Sequence, residues 1–329
     1  MAAGSSHVVC TAELESLLDE LKRSAADERE GLFGATSISW KINRESALFL
    51  AAGRAALLQL AHPWVAAAIA EHSRTLRDPI GRLHQTFRVM FTMSFGTTEQ
   101  ALAAAQRLHR QHSGIRGKLP ETAGRFAEGS AYEANDVAAL RWVYATLVDS
   151  ALLAYELVLP PLSIAEREQC YAESRRTAAL FGIPRQELPG NWEDFSTYVE
   201  SMFQSNGLVV STAAREMAHE LQSGAGTWIR LPFWYRALTA QMLPPRLRAE
   251  FQLSYGAREQ FSAERALRWL PRIYCRLPEI VRFVGPYLEA QAKLNGTAHP
   301  GLAVRLSNCV WIGQPTLFPV EEQIWSSIG

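Results

Sequence analysis

The chain has 329 residues, and its 33 lysines and arginines equal its 33 aspartates and glutamates. This neutral balance argues against a nucleic acid or an anionic membrane as the partner, because both reward a basic surface. The four cysteines stand far apart and form no CxxC pair, which argues against a disulfide framework or a structural zinc site. We expect reduced thiols in a cytoplasmic protein, with enough apolar residues (48%) for a large core.

Helical periodicity runs through nearly the whole chain. The predicted helices span, in order, residues 11–25, 45–61, 64–72, 78–95, 98–113, 136–158, 163–182, 192–206, 208–222, 244–258 and 262–293. Between them, 26–44 and 114–135 are predicted to form loops, 224–243 is interrupted by Gly and Pro, and 298–329 is less regular. No alternation is long enough to build a sheet. The predicted fold class is therefore all-α, a single large helical domain over 1–329 with globin-like helix packing.

Several of these helices begin at residues that cap helix N-termini. Asp78 precedes Pro79, so the aspartate can accept from a free N–H group while the proline takes the first helical position. Thr97 and Gln100 form a capping-box pattern. Asp136 is placed to cap the long apolar helix that follows it. These patterns fix the predicted starts of three helices.

One stretch, 47–70, is apolar enough to resemble a membrane span. It carries Arg54 near its centre, where a charge is costly in a bilayer, and it is broken at Pro63. We therefore interpret it as two buried helical segments. The first ten residues lack the basic region and apolar run of a signal peptide. The expectation is a protein without stable membrane insertion.

The histidines are unevenly distributed along the chain. Five of the eight fall between residues 62 and 112, and they are His62, His72, His84, His109 and His112. His109 and His112 are three residues apart on a predicted helix, so they share a face. By itself this spacing fits either a ligand-binding face or ordinary core packing.

Arg82, Gln85 and Thr86 share a face of the helix predicted at 78–95. The stripe that continues through Val89 and Met90 is polar at one end and apolar beyond, as expected of a pocket for an amphipathic planar ligand. The alternative is an arginine that caps a neighbouring helix and a threonine that bonds its own helix. Both interpretations stay open at this point.

Arg54 interrupts an apolar helix and, if buried, requires an anionic partner. Asp149 and Glu156, isolated in the apolar helix 136–158, are candidates, and so is a carboxylate of a bound ligand. Tyr144 in the same helix could line a cavity or pack in the core. The residues alone do not choose between these partners.

Other catalytic patterns are absent or incomplete. Glu216-x-x-His219 supplies half of a carboxylate di-iron site, which needs a second such motif and two more helical carboxylates. HExxH, GxSxG, GxGxxG and GxxxxGK[ST] do not occur. Zinc proteases, esterases of the nucleophile-elbow type and the common nucleotide-binding folds are therefore not indicated.

Four blocks give a more specific signal through their order and spacing. They read GRAALLQLAHPWVAAAIAEHS (53–73), DPIGRLHQTFRVMFTMSFG (78–96), AAAQRLHRQHSGIRG (103–117) and YEANDVAALRWVYATLVDSALLAYE (132–156). In these blocks the chain resembles the catalytic domain of the latex-clearing protein (rubber oxygenase) and MpaB-type oxygenase family. We expect a family-like core at about 45–220, followed by a helical C-terminal part at 221–329.

The resemblance implies a helical fold that encloses a b-type haem, whose iron supports O2-dependent oxidation. The family's iron ligand is a histidine on the helix that ends in H-x-x-V-x-G, and this pattern falls on His112, with Ile115 in place of the valine. The other candidates for contact with the haem or its propionates are Arg54, Arg82, His109, Tyr144 and Arg215.

The chain departs from the family at one position of the opposite haem face. Rubber-cleaving members carry Arg-x-x-Lys-Thr there, and here Arg82 and Thr86 match while Gln85 replaces the lysine. Glutamine is a poor iron ligand, so the sixth position is expected to be open, water-bound or lined by another group such as His62. The catalytic candidates are thus Arg82, Gln85, Thr86 and His62, and the change argues against rubber itself as the substrate.

The resemblance implies a haem oxygenase that acts with O2 on a small, largely apolar organic substrate, with cleavage of a C=C bond as the family's chemistry. A haem oxidase, peroxidase or hydroxylase of specialised metabolism is the second hypothesis. A non-enzymatic haem- or lipid-binding helical protein is the third. No nucleic-acid partner is expected, and a homodimer is left open.

Overall fold

The computed structural model describes residues 7–25, 27–72, 78–224, 230–297 and 299–318. Over these residues the chain forms sixteen α-helices, two short 3-10 helices and one two-stranded sheet, which confirms the predicted all-α class. The helices are α1 (Thr11–Ser24), α2 (Ile38–Asn43), α3 (Ala52–Leu60), α4 (Pro63–His72), α5 (Pro79–Phe95), α6 (Thr98–Ser113), α7 (Val137–Glu156), α8 (Ile164–Leu180), α9 (Trp192–Gln204), α10 (Thr212–Ser223), α11 (Phe233–Met242), α12 (Pro245–Glu250), α13 (Ala257–Tyr274), α14 (Glu279–Arg282), α15 (Gly285–Leu294) and α16 (Leu302–Ile312). The 3-10 helices are Ser46–Ala51 and Arg185–Glu187, and strands β1 (Arg116–Lys118) and β2 (Ala131–Glu133) pair antiparallel. Globin-like packing stays a prediction.

The predicted caps begin the helices that carry the candidate site. The backbone N–H of Gly81 donates to Oδ1 of Asp78 at 2.9 Å, and that of Gln100 donates to Oγ1 of Thr97 at 3.2 Å. Asp136 caps α7 in the same way. Each bond satisfies an N–H group that has no partner inside its helix. The starts of α5, α6 and α7 are therefore as predicted.

The second half of the chain is more divided than its periodicity predicts. The single helix expected over 262–293 is three helices, α13, α14 and α15. Pro278 precedes α14 in an extended conformation and Pro286 lies in the first turn of α15. At a helix start the missing N–H of proline costs no hydrogen bond, so both positions favour a new helix, whereas Pro271 is accommodated inside α13. The helix predicted at 244–258 likewise ends at Glu250, as α12.

Three regions expected to be irregular contain helices, and in the first of them, 26–44, residues Ile38–Asn43 form α2. The segment 224–243 holds α11, which begins directly after Pro232, and 298–329 holds α16; residues 319–329 lie outside the described part of the chain. The predicted loop 114–135 contains the β1–β2 hairpin. Each of these elements is short, and packing against neighbours stabilises short elements that propensity alone would not.

Helix α7 lies at the centre of the fold. It packs against α2, α3, α8 and the first 3-10 helix, and Trp142, Tyr144 and Ala145 are buried in the largest core cluster. It is also the one described helix whose length and hydropathy would suffice to cross a membrane, although most of it is buried in the protein. The apolar stretch 47–70 is divided between the first 3-10 helix, α3 and α4.

Candidate functional site

A cavity of about 610 Å³ lies between α4, α5, α6, α7 and the hairpin. Its volume is within the roughly 300–1,000 Å³ that small-molecule and cofactor sites occupy. Part of its wall is apolar and comes from α4 and α7, namely Val65, Ala68, Ile69, Leu140 and Val143. Polar residues come from α5 and α6 and also from α3, α4 and the hairpin, among them Gln59, His72 and Glu133. Polar and apolar groups thus line the cavity in similar measure.

His112 lines this cavity from the last turn of α6. The pKa of its imidazole is lowered from 6.5 to about 4, chiefly by burial and to a smaller extent by the charges of Arg82 and His109, while the hydrogen bond with Asn135 acts in the opposite direction. The ring is therefore neutral at pH 7. A neutral imidazole has a ring nitrogen lone pair that can bind a metal ion.

Arg82 lines the same cavity from α5. Burial lowers the pKa of its guanidinium, and no carboxylate of the described residues contributes to that pKa. A buried cation without an anionic partner is unstable, whereas a bound carboxylate or phosphate would form charge-assisted hydrogen bonds with it. The side chain is thus suited to an anionic group on a ligand.

Gln85 also lines the cavity, whereas Thr86 does not. The exposed Thr86 hydroxyl donates to the carbonyl oxygen of Arg82 at 3.0 Å. Thr86 therefore bonds its own helix, which was the alternative to a place in the pocket. The cavity face of α5 runs through Gly81, Gln85 and Arg88, at positions i, i+4 and i+7. It is rotated from the predicted stripe through Thr86, because the packing of α5 on its neighbours, rather than its sequence, sets the rotation.

The hairpin closes one side of the cavity through Tyr132. The phenolic hydroxyl of Tyr132 donates to Oε2 of Glu71 on α4, which fastens strand β2 to that helix. Gly117 on β1 makes room for the ring, because a Cβ at this position would lie 2.5 Å from the hydroxyl oxygen. This glycine therefore permits the close approach that completes the wall.

His62 does not line the cavity. It is 2% exposed and its ring packs beside those of Trp64 and Phe126. Burial lowers the pKa of His62 to about 3, with a smaller contribution from the charge of Arg125. The structure therefore offers no direct path from this imidazole to a ligand in the cavity.

The buried His62 predicts a pH dependence of stability. Its pKa in the folded protein lies below its unfolded value, so its contribution is present above pH 6.5 and is lost as the pH falls toward 3. The free energy of unfolding of the wild type should fall as the pH is lowered from about 6 to 4. In His62→Phe we expect the slope of this fall to be smaller by about 1.4 kcal/mol per pH unit. Urea unfolding at several pH values measures this slope. His219→Gln, at an exposed site on α10, should leave it unchanged, and an identical slope in His62→Phe would contradict the prediction.

Arg54 is buried, 5% exposed, but its partners are internal. Its guanidinium lies 2.7 Å from Oδ2 of Asp149 and donates to Oγ of Ser150 at 2.7 Å and to the carbonyl oxygen of Met242 at 3.0 Å. Of the partners left open by the sequence, the protein supplies Asp149. Arg54 does not line the cavity.

Three more candidates lie outside the cavity lining. The hydroxyl groups of Tyr144 and Ser174 are hydrogen-bonded at 2.7 Å in the core. Arg215 donates through Nε to the carbonyl oxygen of Glu250 at 3.1 Å. His109 is 6% exposed, one turn before His112 on α6. Helical spacing alone could not separate these core positions from cavity positions.

Other cavity residues were not singled out from the sequence. Trp64 lines the cavity, and its buried Nε1 has no acceptor among the described residues. Arg88 lines it too and donates to the carbonyl oxygen of Ile312 at 3.2 Å. Arg88 could have been found from its place three residues after Gln85. Trp64 gave no signal, since an aromatic beside a helix start is common in any core.

An all-α protein with a neutral histidine and an arginine that has no carboxylate partner among the described residues, both on one cavity, belongs to the class of helical small-molecule or cofactor-binding proteins. A comparison with protein-family models is more specific. Residues 40–272 match the family described as ER-bound oxygenase mpaB/B'/Rubber oxygenase, catalytic domain. The match covers more than half of the chain, so the protein belongs to this family of oxygenase catalytic domains, and the predicted resemblance is confirmed.

The family match begins before α3 and ends within α13, so it extends further toward the C-terminus than the core expected at 45–220. It includes every element of the cavity wall. Comparison with curated proteins and with solved structures gave no match. Within the described residues, no group of three His, Cys, Asp or Glu side chains is arranged to hold a metal ion.

Proposed function

We propose that the protein is a haem b-dependent oxygenase that uses O2 to oxidise a small, largely apolar substrate. The observation that carries the proposal is the position of His112, a neutral imidazole on a 610 Å³ cavity in a chain of an oxygenase family. A haem requires one protein ligand to its iron, so it needs no cluster of three metal-binding side chains.

The residues of the cavity fit a haem in three respects. The imidazole of His112 is uncharged and can donate its lone pair to iron. The guanidinium of Arg82 has no carboxylate partner among the described residues, and a propionate would supply one. Val65, Ile69 and Leu140 offer the apolar contact that a porphyrin face requires.

Bound haem would supply the activation of O2, which no amino-acid side chain provides. The side chains of the cavity have simpler roles. His112 holds the iron, Arg82 neutralises a propionate, and the apolar residues of α4 and α7 exclude water from the reacting centre. Of the catalytic candidates, Gln85 remains to orient a polar atom of the substrate or of O2 through its amide N–H groups.

The absorption spectrum of the purified protein tests this proposal. We expect a Soret band in the protein as isolated, or its appearance on addition of hemin, because the cavity provides both an iron ligand and a cation for a propionate. Protein that stays colourless with added hemin would overturn the proposal. The control is free hemin in the same buffer, whose absorption band should differ from that of the protein with hemin.

Reaction products distinguish the oxygenase from an oxidase. With linear alkenes and prenyl alcohols as substrates and isotopically labelled O2, an oxygenase places labelled oxygen in the product, whereas an oxidase leaves it in water or hydrogen peroxide. Mass spectrometry of carbonyl products reports whether a C=C bond has been cleaved. Unlabelled products together with hydrogen peroxide would favour the oxidase.

Gln85 in place of a lysine predicts that a small ligand would have access to the iron of a bound haem. We expect the ferrous haem-loaded protein to bind CO, because glutamine is a poor iron ligand and would compete weakly for the metal. Gln85→Lys should reduce the CO affinity by about ten-fold or more, since an amine can compete for the iron. Flash photolysis or CO titration measures both. Thr86→Ala, next to Gln85 but outside the cavity lining, should behave as wild type, and failure of the wild type to bind CO would contradict the prediction.

A further inference from the structure

Helix α13 places large apolar side chains in solvent. Phe261 is 67% exposed, Trp269 is 50% exposed and Ile273 is 54% exposed. On neighbouring α11, Trp234 is 38% exposed. Trp234, Trp269 and Ile273 border a groove of about 720 Å³ between the two helices, whose wall is almost entirely apolar. Large apolar groups that lie together on a surface usually mark an interaction site.

The same face is strongly basic. It carries five exposed arginines, which are Arg258, Arg265, Arg268, Arg272 and Arg276. None of them forms an ion pair with a carboxylate of the described residues. The guanidinium of Arg258 lies over the ring of Phe233, and that of Arg272 lies over the ring of Trp269 and donates to the carbonyl oxygen of Arg268. Only two acidic residues, Glu259 and Glu264, lie on α13, so this helix bears a positive charge that the neutral total of the chain conceals.

We propose that this arginine–aromatic face, formed by the exposed apolar side chains of α11 and α13 and the five arginines, docks reversibly on the surface of an anionic phospholipid membrane. A helix with arginines beside Trp, Phe and Ile lies in the plane of a bilayer interface, with its apolar groups between the headgroups and its cations at the phosphates. Tryptophan is favoured at this depth, and arginine side chains are long enough to reach outward from it.

Charge selects a lipid surface over a protein surface as the occupant. The core of a protein interface is depleted of charge, whereas here unpaired arginines alternate with the apolar residues along one helix face. Helix α16 also exposes a stripe of apolar residues, but it lacks the positive charge of α13. Leu302, Leu306 and Val310 are 60–72% exposed, but Arg305 is the only charged residue of that helix. Such attachment is peripheral and is compatible with the expected lack of stable insertion.

Vesicle binding tests the proposal. We expect the full-length protein to co-sediment with vesicles that contain phosphatidylcholine and phosphatidylglycerol, and to bind vesicles of phosphatidylcholine alone much more weakly. Each basic residue near an anionic surface contributes about a five-fold gain in binding. The double change R268Q and R272Q should therefore weaken binding about thirty-fold, and W269S with I273S should abolish it. Raised salt should weaken wild-type binding.

The control is L302S with L306S, which removes equally exposed apolar residues from α16 and should leave vesicle binding unchanged. All the altered side chains are solvent-exposed, and circular dichroism and the Soret band report whether each variant keeps its fold and cofactor. No preference for anionic vesicles, or an equal loss in the α16 control, would overturn the proposal. A third result would also overturn the proposal. If the wild type formed dimers in gel filtration and did not bind vesicles, and W269S with I273S were monomeric, the face would be a contact between two copies of the chain.

Discussion

His112→Ala should lose the haem. We expect the hemin affinity to fall at least about 100-fold, because even residues that only orient a metal ligand change affinity about 10- to 100-fold. The side chain is partly exposed at the edge of the cavity, so its removal should leave the fold intact. Hemin titration followed at the Soret band measures the change, and circular dichroism reports the helix content.

His109→Leu is the matched control. His109 lies one turn earlier on α6, but it is buried and does not line the cavity, so this variant should keep the Soret band. Added imidazole should restore the band in His112→Gly, because the free ligand can enter the space left by the side chain. If His109→Leu lost the band while His112→Ala kept it, the assignment of the ligand would be wrong.

Arg54→Met should lower the free energy of unfolding by about 3 kcal/mol, because it leaves the carboxylate of Asp149 without its cation inside the fold. It also removes the hydrogen bonds to Ser150 and to the carbonyl of Met242. We expect a loss at the lower end of the range measured when one partner of a buried salt bridge is removed, because the side chain of Asp149 is 26% exposed. Urea unfolding of the protein, with and without hemin, measures it.

Arg29→Met provides the comparison on the surface. The side chain of Arg29 is 86% exposed and 3.8 Å from Asp27, so its loss should change stability by less than about 0.5 kcal/mol. The hemin affinity of Arg54→Met should be close to that of wild type, since Arg54 does not line the cavity. A variant that unfolded normally but lost hemin would instead show that Arg54 holds a propionate.

Much of the local structure could be predicted from particular residues. Asp78 with Pro79 and Thr97 with Gln100 satisfy backbone N–H groups within a few residues, so the starts of α5 and α6 are encoded locally. The breaks in the second half were harder to predict. Helical periodicity continues on both sides of Pro278. The pattern therefore predicts one helix, although a proline at this place favours a break.

The contents of the cavity could be predicted only in part. Arg82, Gln85 and His112 meet on it, as the family resemblance implied, whereas Thr86, His62 and Arg54 do not line it. Spacing along a helix shows which side chains share a face, but it does not show what that face packs against. Gln85 lines the cavity and the next residue, Thr86, does not, although both side chains are exposed.

The sequence by itself determined the helical class, the principal caps and the family, because each depends on residue types at short spacing, and it named His112 as the predicted iron ligand. Only the tertiary structure decided that Asp149 is the partner of Arg54, that Trp64 and Arg88 join the cavity wall, and that His112 is buried enough to stay neutral. These depend on contacts between residues far apart in the chain, and such contacts are set by how the helices rotate and pack. For His112, the sequence supplied the imidazole, and the packing of α4, α5 and α7 around α6 supplied the cavity it faces.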